Sequence, residues 1–398
     1  MSDRTLSPVN AMRGIRQVSV DHANGISTIV MNDGTLVSER HEPTRGAKHV
    51  TRSTYLPGEE RVEVTCSGSR FSVRVWTGAP ERDRPVVYLD QNHWIYLARW
   101  MNNRDSVGAE DAEFYRLLAS EVEHNRIVVP ESAAHMQETA KRPGQSRLEV
   151  ASAMVRLSQG WQFRNVLPLQ RAEIRTMFGA SGPVTRSLAV TLEPGVILDK
   201  TGPDDTLDDL PEEFQALHER TVWATVFVSV LLAEASISAP ANDLARAWAQ
   251  SFKPLAEALN GNGRAKARAR DVTRLRFVGD IGRQLAGVAS EAGLSPEAFG
   301  AWLENDCEVA LSRVPGLARL REVLHLRLWN ATERWEGNDL NDWLYLSYAG
   351  AYTDLVVGER KMINYLRRVD SRVPAGARLQ FKAAAALKDL QRLVARVE

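Results

Sequence analysis

The chain has 398 residues, 44% hydrophobic and 25% charged, with Lys+Arg and Asp+Glu both at 50. This is an ordinary globular composition, long enough for two or three domains, and its zero formal charge excludes a global basic field; nucleic acid would have to be met by a local patch. Two cysteines, Cys66 and Cys307, exclude a disulfide framework or a Cys-rich zinc site and are expected to be reduced and buried.

The first twenty residues lack the apolar stretch of a signal peptide. Residues 1–80 read as a small β-rich domain: its segments are β-branched, partly alternating, and broken by turns at Asn32-Asp33-Gly34 and Ser67-Gly68. A polar, proline-bearing linker, GAPERDRP, covers 78–85. Then Val86-Val87-Tyr88-Leu89, apolar throughout and ending at Asp90, predicts a strand buried on both faces, as in a parallel sheet. Helices are expected at QNHWIYLARWMNNR and AEDAEFYRLLASEVEHN, a strand at RIVVP, helices at SAAHMQETAKR and RLEVASAMVRLSQG, and a third strand at WQFRNVLPL. Strand–helix alternation is the α/β signature.

Residues 172–335 read as mostly helical, with a loop over 182–205. The run VWATVFVSVLL, bounded by Arg220 and Glu234, is too short for the roughly 20 residues of a membrane span and predicts a buried helix. No membrane partner and a cytoplasmic location are expected. Late in the chain NDLNDWLYLSYAGAY predicts a helix, Asp354-Leu355-Val356-Val357 a strand, and ERKMINYLRRV a helix. The organisation expected is one α/β domain in two parts, 85–171 and 336–398, interrupted by the helical insertion 172–335.

Four acids fall where strands end or helices begin: Asp90, Glu138, Asp342 and Glu359. Ligands of open parallel sheets bind at the carboxyl ends of the strands. Asp90 and Glu359 would stand there directly; Glu138 lies two turns into its helix, which must lean over the strand ends. Four converging carboxylates repel unless a cation neutralises them, and Mg²⁺ or Mn²⁺ prefers such oxygen ligands. A divalent ion also acidifies water and stabilises charge on a phosphate.

The ordered set VVYLDQNHWIYLA, VVPESAAHMQETA and DWLYLSYAGAYTDLVVGER resembles the PIN-domain ribonucleases. The resemblance covers about 150 residues in two pieces. It implies a PIN-like Rossmannoid parallel sheet and metal-dependent hydrolysis of phosphodiester bonds, with RNA, or else DNA, as substrate. It makes Asp90, Glu138 and Asp342 metal ligands and catalytic residues, completed by Glu359, and has Ser132 support Asp90 through hydrogen bonds. Gln91 and Asn92 depart from the small residues that often follow the first Asp. Glu359 departs as the fourth acid, since Val357-Gly358 stand where a hydroxyl residue often precedes it.

Asn92 and His93 follow Asp90 closely enough to touch a phosphate, and Asp339 stands one turn before Asp342 as helix cap or additional ligand. His135 precedes Glu138 by one turn. Trp94 and Trp343 could stack on bases but read first as core. Arg264, Lys266, Arg268, Arg270, Arg274 and Arg276, interrupted only by Asp271, make a basic run for a phosphate backbone or a solvated helix face. Two other readings stand beside the nuclease: an inactive PIN-like module that binds nucleic acid or protein, and a phosphohydrolase of a small phosphate. A homo-oligomer or a regulatory partner fits any of them. The nuclease reading requires the carboxylates of Asp90, Glu138 and Asp342 to converge within reach of one metal.

Overall fold

The computed structural model describes residues 14–40, 49–75, 83–193, 195–198, 212–232, 246–336 and 339–396. Most of the expected linker, and parts of the 182–205 loop, lie outside them.

Six strands form an antiparallel sheet: β1 (Ile15–Asp21), β2 (Ile26–Met31), β3 (Leu36–Arg40), β4 (Val50–Leu56), β5 (Arg61–Cys66) and β6 (Ser69–Arg74), in the order β3-β2-β1-β4-β5-β6. Strict alternation in β5 sends Val62, Val64 and Cys66 to one face, where they are buried. The β5–β6 hairpin closes on Ser67 and Gly68, both with positive φ (49° and 78°), the two-residue turn whose twist suits a hairpin.

The second sheet is parallel and has three strands, β7 (Val87–Leu89), β10 (Leu355–Val357) and β11 (Arg378–Gln380), in the order β11-β10-β7. β7 and β10 are buried on both faces, as a run without polar alternation requires. Their residues alternate between two cores. Tyr88 and Val356 join one apolar cluster; Val87, Leu89, Leu355 and Val357 join the other. Beyond β7 the pairing thins to two parallel bridges, Val86↔Val128 and Glu131↔Gln162. The strand expected at RIVVP is therefore a bridged extended segment. The one expected at WQFRNVLPL is β8 (Gln162–Phe163) alone, paired with β9 (Val190–Thr191). From Val166 the chain is helical because Asn165 caps the Leu167 amide and ends the extended run.

Helices of two turns or more are α1 (Gln91–Asn102), α2 (Ala109–Glu123), α3 (Ala133–Ala140), α4 (Gly144–Ser158), α5 (Val166–Met177), α6 (Glu212–Leu232), α7 (Lys253–Gly261), α8 (Ala269–Glu291), α9 (Pro296–Asn305), α10 (Cys307–Arg313), α11 (Pro315–Trp329), α12 (Asp339–Tyr352), α13 (Arg360–Val369) and α14 (Ala383–Val394). The antiparallel sheet packs through β4, β5 and β6 on α4 and α6. Its inward residues belong to the same apolar cluster as α1, α2 and α14. The helical stretch is likewise continuous with the rest, since α11 packs against α12 and α13 in the other cluster. Helix α6 corrects the expectation of full burial: Ala224, Phe227, Val228 and Leu231 are buried, while Val222, Val226 and Val230 form an exposed stripe at i, i+4 spacing. Both cysteines are buried and unbridged. Among the described residues no helix is long and apolar enough to cross a membrane.

Candidate metal centre

Asp90 ends β7, and Glu359 follows β10 by two residues. The register pairs Val357 with Leu89, so both acids leave the same carboxyl edge of the parallel sheet. The Asp90 amide donates to the Val357 carbonyl at 2.9 Å. In return the Glu359 amide donates to Asp90 Oδ2 at 2.6 Å, and the Asn92 amide donates to Oδ1 at 3.0 Å. Asp90 thus caps α1 and clasps the two strands together. Its side chain is buried, and both oxygens are fixed by backbone.

Glu138 arrives on α3, which is strapped over the end of β7. Ser132 and His135 form a reciprocal cap at the start of that helix. The Tyr88 and Ser132 hydroxyls are 2.9 Å apart, and Gln91 Nε2 donates to Thr139 Oγ1 at 2.9 Å. His135 accepts from the Ser132 amide at 3.1 Å and also bonds the Leu89 backbone. The helix therefore leans over the strand end as the spacing of Glu138 requires. Asp342 sits in the first turn of α12, three residues after Asp339.

The titration of these groups reports one shared field. Burial pushes Asp90 up to about 6, with Glu359 adding to it and the two backbone bonds opposing. Burial, then the charge of Asp90, pushes Glu138 up to about 7. Burial, then Asp90, Glu138, Glu359 and Asp339, pushes Asp342 up to about 8. Lys141 opposes the rise at Glu138, whereas Arg327 and Lys361 are held by other acids. Buried Arg327 bonds Glu333 at 2.8 Å and Asp339 at 2.7 Å, and Lys361 reaches the same two acids at 3.0 and 3.5 Å.

The acids are not gathered on one point. Among the described residues no group of three or more His, Cys, Asp or Glu side chains forms a ready ion-binding cluster. The donor set itself suits a hard divalent cation: all carboxylate oxygen, with Glu138 half-buried and Glu359 exposed.

Several supporting residues have other work. Ser132 is fully buried and bonds Tyr88 and His135, where support of Asp90 was expected. His93 is buried 3.1 Å from the Tyr115 hydroxyl and bonds the Phe381 backbone; burial holds it down to about 4, so it is a neutral packing residue. His135 is held down to about 3 by burial and packs tilted against Tyr88, ring centres 5.0 Å apart. Asp339 serves the Arg327–Lys361 network and accepts from the Glu336 amide. Asn92, beside Asp90, has an exposed side chain. Trp94 and Trp343 are core residues, 0% and 1% exposed.

The basic run does not form one stripe. Arg268 pairs with Asp271, Arg270 with Glu322, Arg274 with Glu308, and Arg276 with Asp280. Lys266 lies over the Trp329 ring at 4.8 Å, and Arg264 is exposed on the one-turn helix before α8. The helical turn distributes neighbouring bases around the axis; acids of the same helix pair with Arg268 and Arg276, and acids of α11 and α10 with Arg270 and Arg274.

Sequence reasoning missed Tyr88, which sits in the field of Asp90 and Asp342. Its signal was a hydroxyl inside an otherwise aliphatic strand, which must find a buried partner. It also missed Glu131, fully buried with neither carboxylate oxygen bonded among the described residues.

No protein-family model, curated protein or solved structure matches this chain.

Proposed function

We propose that the chain is a divalent-metal-dependent nuclease with a PIN-like fold, hydrolysing RNA phosphodiester bonds at the carboxyl edge of the parallel sheet. The observation that carries this reading is the shared field of Asp90, Glu138, Asp342 and Glu359, four acids from four separate segments. Evolving such a cluster without a cation would only destabilise the fold, whereas Mg²⁺ or Mn²⁺ converts the same repulsion into ligation.

Asp90, Glu138 and Asp342 would hold the ion, with Glu359 at the exposed rim. Bound there, the cation supplies an acidified water and charge stabilisation for the phosphate. Asp90 is the fixed member, since two backbone amides orient it and its position does not depend on a flexible side chain. Tyr88, Ser132 and His135 act as positioning residues that hold α3, and with it Glu138, over the strand end. Ionised carboxylates are the ligating form, so metal affinity rises with pH through the range from about 6 to about 8 in which Asp90, Glu138 and Asp342 titrate.

A fluorescently labelled single-stranded RNA incubated with Mg²⁺ or Mn²⁺ tests the reading, with a DNA strand of the same sequence alongside. Cleavage is expected with metal, absent with chelator, and lost in Asp90→Asn and Asp342→Asn while circular dichroism stays unchanged. Absence of RNA cleavage at any pH from 6 to 9 with either metal would sink it. Retained RNA binding in that case would favour the non-catalytic module.

A further inference from the structure

A second site lies away from the carboxylates, in the helical part of the molecule. Helices α8, α11 and α13 enclose a cleft of about 530 Å³, the size of a small-molecule site. Lys266 and Arg270 line one side, Arg368 and Arg372 the other, and His325 and Trp329 line it from α11. Glu322 is the one acid in the lining, and it is held by Arg270 at 3.2 Å and by Arg321 at 2.9 Å from behind. Among the described residues Lys266, Arg368 and Arg372 form no ion pair, and both arginines are exposed.

Three cations without an acidic partner among the described residues, Lys266 donating only to Asn260 Oδ1 at 3.3 Å, and a partly paired fourth create a local positive potential around one concavity in a chain of zero net charge. Arginine forks suit phosphate oxygens, and lysine adds a point charge. The aromatic component is equally placed. Trp329 is 43% exposed, His325 lies 6.0 Å from its ring centre, and Lys266 Nζ stands 4.8 Å over the ring. Thr273 holds the His325 ring at 3.3 Å, so that ring is fixed.

We propose that this cleft binds a small phosphate-bearing ligand of the nucleotide class, with its phosphates among Lys266, Arg270, Arg368 and Arg372 and its base against Trp329. The assignment does not depend on the nuclease reading. The two sites are nevertheless joined by one rigid element. Helix α13 starts just after Glu359 and carries Arg368 near its other end, a span of roughly 15 Å.

Isothermal titration of the full chain with ADP, and in parallel with inorganic pyrophosphate, tests the proposal. ADP is expected to bind, more weakly as salt rises. Arg368→Gln with Arg372→Gln should weaken ADP binding at least about tenfold. Trp329→Ala should weaken ADP but not pyrophosphate. Asp342→Asn should leave ADP binding unchanged, so failure of the carboxylate reading and failure of this one are separable. No ADP binding by a chain whose circular dichroism is native overturns the proposal. Equal binding of pyrophosphate and ADP, indifferent to Trp329→Ala, overturns the nucleotide assignment. Single-stranded RNA bound through Arg368 and Arg372 in the absence of ADP binding overturns it as well and gives the cleft to polynucleotide.

Discussion

Asp342 carries the heaviest electrostatic load of the four acids, raised by burial and by four neighbouring carboxylates to about 8. A carboxyl raised in the fold keeps its proton after the unfolded chain, near pH 4, has lost it. The stability this group allows is full below about pH 4 and is lost as pH rises towards about 8. Asp342→Asn removes that loss. Its melting temperature at pH 8 should exceed the wild type's by about 2–4 °C for each kcal/mol relieved, with little difference at pH 4. Differential scanning calorimetry without metal reads this directly, and a variant melting below wild type at pH 8 would refute the shared field. Glu131 makes a parallel case. Burial alone raises its carboxyl, and neither oxygen has a partner among the described residues. Ionisation above about pH 4 favours the unfolded state, so Glu131→Met should melt higher and flatten the decline in melting temperature between pH 5 and pH 8. If the variant melts lower at pH 8, Glu131 has a partner that its surroundings do not reveal.

Helix α11 shows how an element depends on a side chain distant in sequence. It begins with Pro315 and has no side-chain cap of its own. Glu173, on α5, supplies one: both carboxylate oxygens accept at 2.7 Å, from the Gly316 and Leu317 amides, and the Tyr352 hydroxyl donates as well. The negative charge also faces the positive end of the helix. Glu173→Ala should cost about 3 kcal/mol by chemical denaturation, since two amides and a hydroxyl lose a charged acceptor in a buried site. Gly316 belongs to the same device. A Cβ there would lie 2.4 Å from the Tyr348 ring and 2.9 Å from Glu173. The strap of α3 over β7 follows the same logic near the carboxylates: its local cap was readable in sequence, but its bonds to Tyr88 and Leu89 required the fold.

Across the whole molecule, the antiparallel sheet meets the α/β part through backbone as well as side chains. The Arg74 amide donates to the Gln159 carbonyl at 2.7 Å. Gly160, with φ +94°, lies so close that a Cβ would stand 2.7 Å from Val73. Gly160→Ala meets both strain and a clash, and should lower the melting temperature by several degrees, about 2 kcal/mol or more. A change below about 0.5 kcal/mol would mean that the sheet docks loosely.

Asp90, Glu359 and the helices around them were legible from local signals: an apolar run ending in an acid, a cap, a 3.6-residue period. Those signals act within a few residues, where backbone sterics and burial dictate the outcome. The separate fates of Ser132, His93 and Asp339, and of Arg270 and Arg274 in the basic run, were not legible, because partners on other elements decided them: Tyr88, Tyr115, Arg327, and the acids of α11 and α10. The amino-acid order alone determined which residues end strands, open helices and face inward. Only packing of distant segments determined which charges would be neutralised: it set Asp90, Glu138 and Asp342 in one another's field at the sheet edge and brought Arg270 to Glu322, while Lys266, Arg368 and Arg372 line the cleft beside Trp329 without an ion pair among the described residues. Pairing is a matter of ångströms between residues that the sequence separates by tens or hundreds of positions, and that distance exists only once the chain has folded.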